Sequence, residues 1–187
     1  MVEKKALADD TFVLLFVDET SVSLHPILRR CWMKRGQRKT IAAPGSPTYA
    51  HTFGAYNWGD ARVSAQTKER KNSEGFIEFV EYIMLDEYPD VKVVMVMDNA
   101  SYHRSQASRA ALSLFEERLY VVWLPPYCPF LNAIERFWLQ LKTLAAANCL
   151  HRAMDDLIQA VELVIHSQNQ SDHPDRLDFA QNFRLTA

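Results

Sequence analysis

Apolar residues recur along this chain in two rhythms, and the places where one gives way to the other mark out its elements. Phe12 to Val17 is an unbroken apolar run, mostly β-branched or aromatic. Such a run predicts a central strand buried on both faces. It ends in Asp18-Glu19-Thr20. Ser21 to His25 and a second run near Cys31 to Met33 suggest a short strand and its bend. Two prolines and a glycine between Ala42 and Thr48 mark a loop. Tyr49 to Trp58 alternates in part and is rich in Tyr, Phe, Thr and Trp. Asn57-Trp58-Gly59-Asp60 offers a turn, after which Ala61 to Thr67 returns as an edge strand.

The rhythm changes near residue 72. Asn72 or Ser73 can cap a helix, and Phe76, Phe79, Val80, Ile83 and Met84 then fall on one face of it. Pro89 stops that helix. Val91 to Met97 is a second buried-strand run, ending in Asp98-Asn99-Ala100-Ser101. A polar helix over about Ser105–Glu117 leads to a strand, Leu119–Leu124. Pro125, Pro126 and Pro129 then forbid regular structure. A helix follows from about Asn132, with Ile134, Phe137, Trp138, Leu141 and Ala145 on its apolar face. A last amphipathic helix shows Met154, Leu157, Ile158, Val161 and Ile165.

Strands joined by short connections are expected to be antiparallel, and those joined through helices parallel. The order therefore predicts an α/β fold, a mixed sheet flanked by helices, in one domain spanning residues 1–187. Its core is expected over about residues 10–167, with a polar, poorly ordered tail over 168–187.

Composition narrows the class. A chain that is 48% hydrophobic and 24% charged is an ordinary globular protein. No apolar run approaches the ~20 residues needed to cross a bilayer, and the N-terminus lacks a signal-peptide core. Cys31, Cys128 and Cys149 form no CxxC pair and are odd in number, which fits a reduced, intracellular compartment. The net charge is −2, so nothing global announces a nucleic-acid binder. The distribution is more informative. Arg29, Arg30, Lys34, Arg35, Arg38 and Lys39 crowd one short segment that holds no acid and includes Trp32. Such a segment suits a phosphate backbone; a solvated hairpin without a ligand is the alternative.

Three acids carry the candidate chemistry. Asp18 and Asp98 each end a strongly apolar run. If those strands are parallel neighbours ~4.8 Å apart, both carboxylates emerge at one sheet edge and can share a cation. Glu135 follows the proline loop, which fixes where its helix starts. Hard oxygen ligands with open positions suit Mg²⁺ or Mn²⁺. Two such ions can activate water or a 3′-hydroxyl and stabilise the leaving oxygen of a phosphodiester. Singly, each acid also has a structural reading as a turn residue or cap, and Asn132-Ala-Ile-Glu135 matches a capping box. Glu19 points to the face opposite Asp18, in a surface or supporting role, with metal ligation as the alternative. Asn99, His103 and Asn132 are placed to orient a carboxylate or touch a phosphate, with capping or loop roles as the alternative. Phe137 and Trp138 read as core.

These blocks resemble the catalytic domain of a transposase with an Asp-Asp-Glu triad, of the mariner superfamily, nearest its bacterial insertion-sequence branch. Phe16-Val-Asp-Glu-Thr-Ser21 is similar to the family's first-aspartate strand, Val96-Met-Asp-Asn-Ala-Ser-Tyr-His103 to its second, and Leu124-Pro-Pro-Tyr-Cys-Pro-Phe-Leu-Asn-Ala-Ile-Glu-Arg-Phe-Trp138 to its third. The resemblance covers nearly all of residues 10–150. It implies a ribonuclease H-like five-stranded sheet of order 3-2-1-4-5, with Asp18, Asp98 and Glu135 as catalytic metal ligands for two Mg²⁺ or Mn²⁺ ions. It implies cleavage of DNA at transposon ends and joining of the freed 3′-hydroxyl to target DNA, typically at TA. It also implies a homodimer assembled on DNA, in the bacterial cytoplasm at the nucleoid, with no membrane partner.

The sequence departs from the pattern at Cys128, Phe130 and Ala133, where the family usually carries serine, an acid and proline. The family's N-terminal helix-turn-helix modules are not found, so the chain reads either as an excised domain or as the second of two overlapping frames, with a separately encoded helix-turn-helix protein as partner in the latter case. A catalytically inactive remnant acting as a binding or dimerisation module is the competing function. A phosphoreceiver domain does not fit, because its paired acids lie much closer together than Asp18 and Asp98 do.

Overall fold

The computed structural model describes residues 12–37, 40–42, 48–174 and 176–180. Its strands are β1 (Phe12–Ser23), β2 (Tyr49–Asn57), β3 (Val63–Lys68), β4 (Lys92–Met97) and β5 (Leu119–Trp123). Its helices are α1 (Ser73–Tyr82), α2 (Gln106–Ser113), α3 (Ile134–Ala146) and α4 (Met154–Asn169). The strands form one five-stranded sheet in the order β3-β2-β1-β4-β5. β1 pairs antiparallel with β2 and β2 antiparallel with β3, whereas β1–β4 and β4–β5 are parallel. This is the mixed ribonuclease H-like sheet the sequence implied.

Period-two alternation divides the core between the two sheet faces. Leu14, Phe16, Tyr56, Val94 and Val96 pack with Phe137, Trp138 and Leu141 of α3 and Leu157 and Val161 of α4. Leu15, Val17, Phe53, Met95 and Met97 pack on the other side with Phe76, Phe79 and Val80 of α1. Asn72 caps α1, its side chain accepting from Gly75 N at 3.0 Å. A π-helical turn, Ile83–Glu87, ends it before Pro89.

Four expectations change. β1 does not stop at Val17. It runs on to Ser23 because its polar half stays paired with β2, as far as Ser23 opposite Tyr49. The region of Cys31 to Met33 forms no strand; it is irregular and exposed. The polar helix ends at Ser113 rather than Glu117. Residues 114–118 turn so that Arg118 reaches the end of α1, donating from Nη1 to Tyr88 O at 2.7 Å and from Nη2 to Met84 O.

The polar tail is the fourth. Residues 176–180 are packed against the body, so the core extends past residue 167. Gln168 is buried, donating to Ala61 O at 2.8 Å and Leu177 O at 2.9 Å. Tyr56 Oη donates to Leu177 O at 3.1 Å, and Phe179 lies against its ring. Phe179 and Ala180 are the apolar residues that make this docking favourable. Among the described residues no helix is long and apolar enough to cross a membrane.

Candidate active site

The site begins where one strand keeps one partner and loses the other. The β1–β4 ladder ends at Phe16 opposite Val96, while β1–β2 pairing continues through Asp18 opposite Gly54. Asp18 therefore lies on a rigid strand but past the end of its parallel neighbour. Alternation turns its side chain toward the α3 face, and Glu19 toward the α1 face.

Asp98 follows the last residue of β4. Its Oδ1 accepts from Ala100 N at 3.0 Å, a local turn that fixes the carboxylate. Glu135 stands in the first turn of α3. Asp18, Asp98 and Glu135, together with Asn99, Asn132 and the loop 124–129, line one open cavity of about 470 Å³. Three segments far apart in sequence thus line one cleft. They are not closed into a cage: among the described residues no three acidic, histidine or cysteine groups are gathered tightly enough to hold an ion outright.

Asn132 behaves differently from the capping-box reading. The residue at the helix N-cap is Ala133, with no side-chain cap bond. Asn132 instead turns inward, donating from Nδ2 to Val17 O at 3.0 Å. Only its backbone oxygen meets the helix start, accepting from Glu135 N at 3.2 Å.

The electrostatics separate the two aspartates. The Asp18 carboxyl is pushed up to about 7, first by burial and then by the neighbouring charges of Glu19 and Glu135. Asp98 is held below its ordinary range, chiefly by a hydrogen bond from His103. His103 is fully buried, with Nδ1 3.0 Å from Asp98 Oδ1 and Nε2 2.7 Å from Glu19 Oε1. Burial alone would lower its pKa; the bonds to Asp98 and Glu19 outweigh that and raise it to about 9. Both ring nitrogens then donate, as an imidazolium's must. Phe76 and Tyr102 pack on the ring, with centroids 4.4 and 4.5 Å away. Glu19 also accepts from Tyr102 Oη, and Lys71 Nζ lies 3.7 Å from it. Glu19 is buried, so of its two expected roles the surface one is excluded.

The acidic and amide residues lining the cavity supply oxygen donors. Besides the three carboxylates, Asn99 Oδ1 and Asn132 Oδ1 are buried without a hydrogen-bond partner among the described residues. Carboxylates gathered in one cleft, one of them pushed up by burial and then by like charge, suit a hard divalent cation.

The basic segment lies outside this cavity. Arg29, Arg30, Lys34 and Arg35 are exposed, beside a fully exposed Trp32. The segment is tied to the end of α3 through Asn148, which bonds Arg29 N and O at 3.0 Å each. Arg38 and Lys39 lie outside the described residues.

A family model described as "DDE superfamily endonuclease" matches residues 13–158, a span that contains all three acids. The chain belongs to this family. A DDE chain is what the three sequence blocks resembled, and the relatives agree. The chain is 26% identical over 148 residues to the insertion element IS630 uncharacterized 39 kDa protein of Shigella sonnei, covering 79% of this chain and 43% of that protein. In fold, this DDE domain is similar to the Mos1 transposase of a paired-end complex with the left transposon end, at a TM-score of 0.67 and 15% identity. That match covers 91% of this chain and 52% of the Mos1 chain. It is also similar to the HTLV-2 integrase catalytic core domain in complex with magnesium, at a TM-score of 0.51 and 16% identity, covering 84% and 85%. The chain spans about half the length, or less, of the IS630 and Mos1 proteins it matches.

Sequence reasoning missed two parts of this candidate site. Trp138, read as core, is core but also donates from Nε1 to Asp18 Oδ2 at 3.1 Å. Gly54 faces Asp18 and leaves room for that indole. The spacing of Trp138 three residues after Glu135 was the available signal for the first. Gly54 carried none beyond being a glycine inside a strand.

Proposed function

We propose that this domain is the metal-dependent DNA endonuclease and strand-transfer unit of a transposase, with Asp18, Asp98 and Glu135 as its catalytic acids. The observation that carries the reading is their meeting in one cleft from three distant segments. In this reading it cuts transposon ends and joins the 3′-hydroxyl to target DNA, with TA as the target dinucleotide.

The three acids would hold Mg²⁺ or Mn²⁺, two ions in all. Bound there, divalent ions supply polarisation of water or a 3′-hydroxyl and neutralisation of charge at the phosphodiester. The chain's own groups supply placement. Asp18 presents its carboxylate from a strand that cannot shift without breaking β1–β2 pairing. His103 keeps Asp98 ionised and holds its Oδ1. Glu19 keeps His103 charged. Asn99 bonds Leu124 O through Nδ2, holding the proline loop at the rim. Arg29, Arg30, Lys34 and Arg35, with Arg38 and Lys39, are the proposed contacts to the DNA backbone. Assembly as a homodimer on DNA and a site of action in the bacterial cytoplasm at the nucleoid complete the proposal.

A nicking assay on supercoiled DNA with Mn²⁺ tests it. Wild type is expected to nick and Asp98→Ala to lose activity by at least the ~10²-fold typical of a removed catalytic group. Equal nicking by both, or none by either, would favour an inactive binding module.

A further inference from the structure

Glu135 lies between two anchors. Asn132, three residues before it, donates from Nδ2 to Val17 O at 3.0 Å. Trp138, three residues after it, donates from Nε1 to Asp18 Oδ2 at 3.1 Å. Asn132 stands just before the helix, and Trp138 lies one turn beyond Glu135 within it. The two acceptors belong to consecutive residues of β1. Asn132 is 4% exposed and Trp138 2%, so water does not compete well for either bond.

Gly54 makes the second anchor possible. It pairs with Asp18 across the antiparallel ladder, so a side chain there would rise beside the carboxylate. A Cβ at this position would stand 2.8 Å from Trp138 Cζ2 and closer still to Cη2. The indole occupies the space that any other residue would fill. The slot, the indole and the carboxylate are therefore one fitted unit, contributed by β2, α3 and β1.

We propose that Asn132 and Trp138 are positioning residues that clamp α3 onto β1, so that Glu135 is held in fixed relation to Asp18. The inference rests on the reading of the three acids given above. Neither residue is assigned contact with substrate. Trp138 takes one lone-pair direction of Asp18 Oδ2 and so limits which carboxylate orientations face the cleft. Asn132 pins the chain just before the helix, which stops the first turn of α3 from sliding along β1. Removing either donor leaves the three acids present but loosens their relation. Outer bonds of this kind, when removed, typically lower metal affinity or activity by about 10–100-fold.

The test uses the 187-residue chain labelled with ¹⁵N. Its four tryptophans give four indole N–H resonances, and Trp138→Phe identifies the one that matters. The Trp138 resonance is expected to exchange slowly with water, to move in Asp18→Asn, and to be broadened by Mn²⁺ before that of exposed Trp32. Trp138→Phe and Asn132→Ser, checked for folding by circular dichroism, are expected to bind Mn²⁺ about tenfold more weakly. They are expected to lower the nicking rate at saturating DNA while leaving DNA affinity unchanged. If none of the four indole resonances moves in Asp18→Asn the clamp is overturned, a reading that holds even if the Phe variant does not fold. Wild-type Mn²⁺ affinity and nicking in both folded variants overturn it as well. A wild-type chain that neither binds Mn²⁺ nor nicks DNA overturns the functional reading instead, and the response to Asp18→Asn still judges the Trp138–Asp18 bond.

Discussion

His103 Nε2 lies 2.7 Å from Glu19 Oε1, in a place closed to solvent. The other ring nitrogen holds Asp98, so a glutamate on β1 and an aspartate after β4 are joined through one imidazolium. The link stands just beyond the last β1–β4 ladder pair, where backbone bonding no longer fixes the strands' separation. Removing one partner of a buried charged pair leaves the other uncompensated, which costs roughly 3–5 kcal/mol. Glu19→Ala is therefore expected to lower unfolding stability by that order in urea titrations. Asp98→Ala is expected to lower it less, because the Asp98 side chain is 53% exposed and water replaces part of the missing interaction.

The same groups set a pH dependence. Asp18 rises from 3.8 to about 7 on folding, so its contribution is greatest below pH 3.8 and is lost as pH rises through about 7. His103 rises from 6.5 to about 9, so its contribution is full below pH 6.5 and is lost through about 9. Asp98 is lowered, and its contribution is lost as pH falls below the ordinary carboxylate value. Without divalent ions, Tm is expected to fall between about pH 4 and about pH 9. Asp18→Asn is expected to be more stable than wild type at about pH 8, by roughly 2 kcal/mol after discounting for partial exposure. A gap that stays constant from about pH 5 to about pH 8 contradicts the Asp18 assignment.

Gly54→Ala probes the slot in the sheet. The added methyl group meets the Trp138 ring closer than van der Waals contact allows, and both residues are fixed, one in a sheet and one in a core. Overpacking of this kind costs about 1–3 kcal/mol. The variant is expected to melt earlier and to release the Trp138 indole N–H, visible as faster exchange with water. Gly36→Ala, with nothing near its Cβ, controls for substitution without a clash, although its positive φ carries a small strain of its own.

The exposed basic segment predicts a salt effect without a folding effect. Replacing Arg29, Arg30, Lys34 and Arg35 by Ala is expected to leave stability within about 0.5 kcal/mol of wild type, as exposed substitutions usually do. DNA affinity is expected to fall, and the slope of log K against log salt to flatten by about 0.9 for each phosphate that is no longer neutralised. An unchanged slope in filter binding over a salt series removes this segment from the DNA interface.

The sequence by itself determined much of this domain. Unbroken apolar runs at Phe12–Val17 and Val91–Met97 require strands covered on both faces, and the helical period from Phe76 supplies one cover. Short connections early and helical ones later then leave little choice but a mixed sheet. The adjacency of Asp18 and Glu19 on a strand already sends them to opposite faces. Tertiary structure decided what those faces contain. Glu19 meets a closed interior because His103, 84 positions away, folds beneath it. Asn132 abandons its local cap because a carbonyl of β1, past the end of the parallel ladder, is within reach, and a local motif cannot register a distant acceptor. The apolar face of α3 hid the second role of Trp138. An indole packs like any large apolar group, and only the place of its N–H partner, beside a glycine in another strand, shows that it also holds a carboxylate. Residues 176–180 dock for a similar reason: Leu177 and Phe179 meet Tyr56, which composition alone could not foresee.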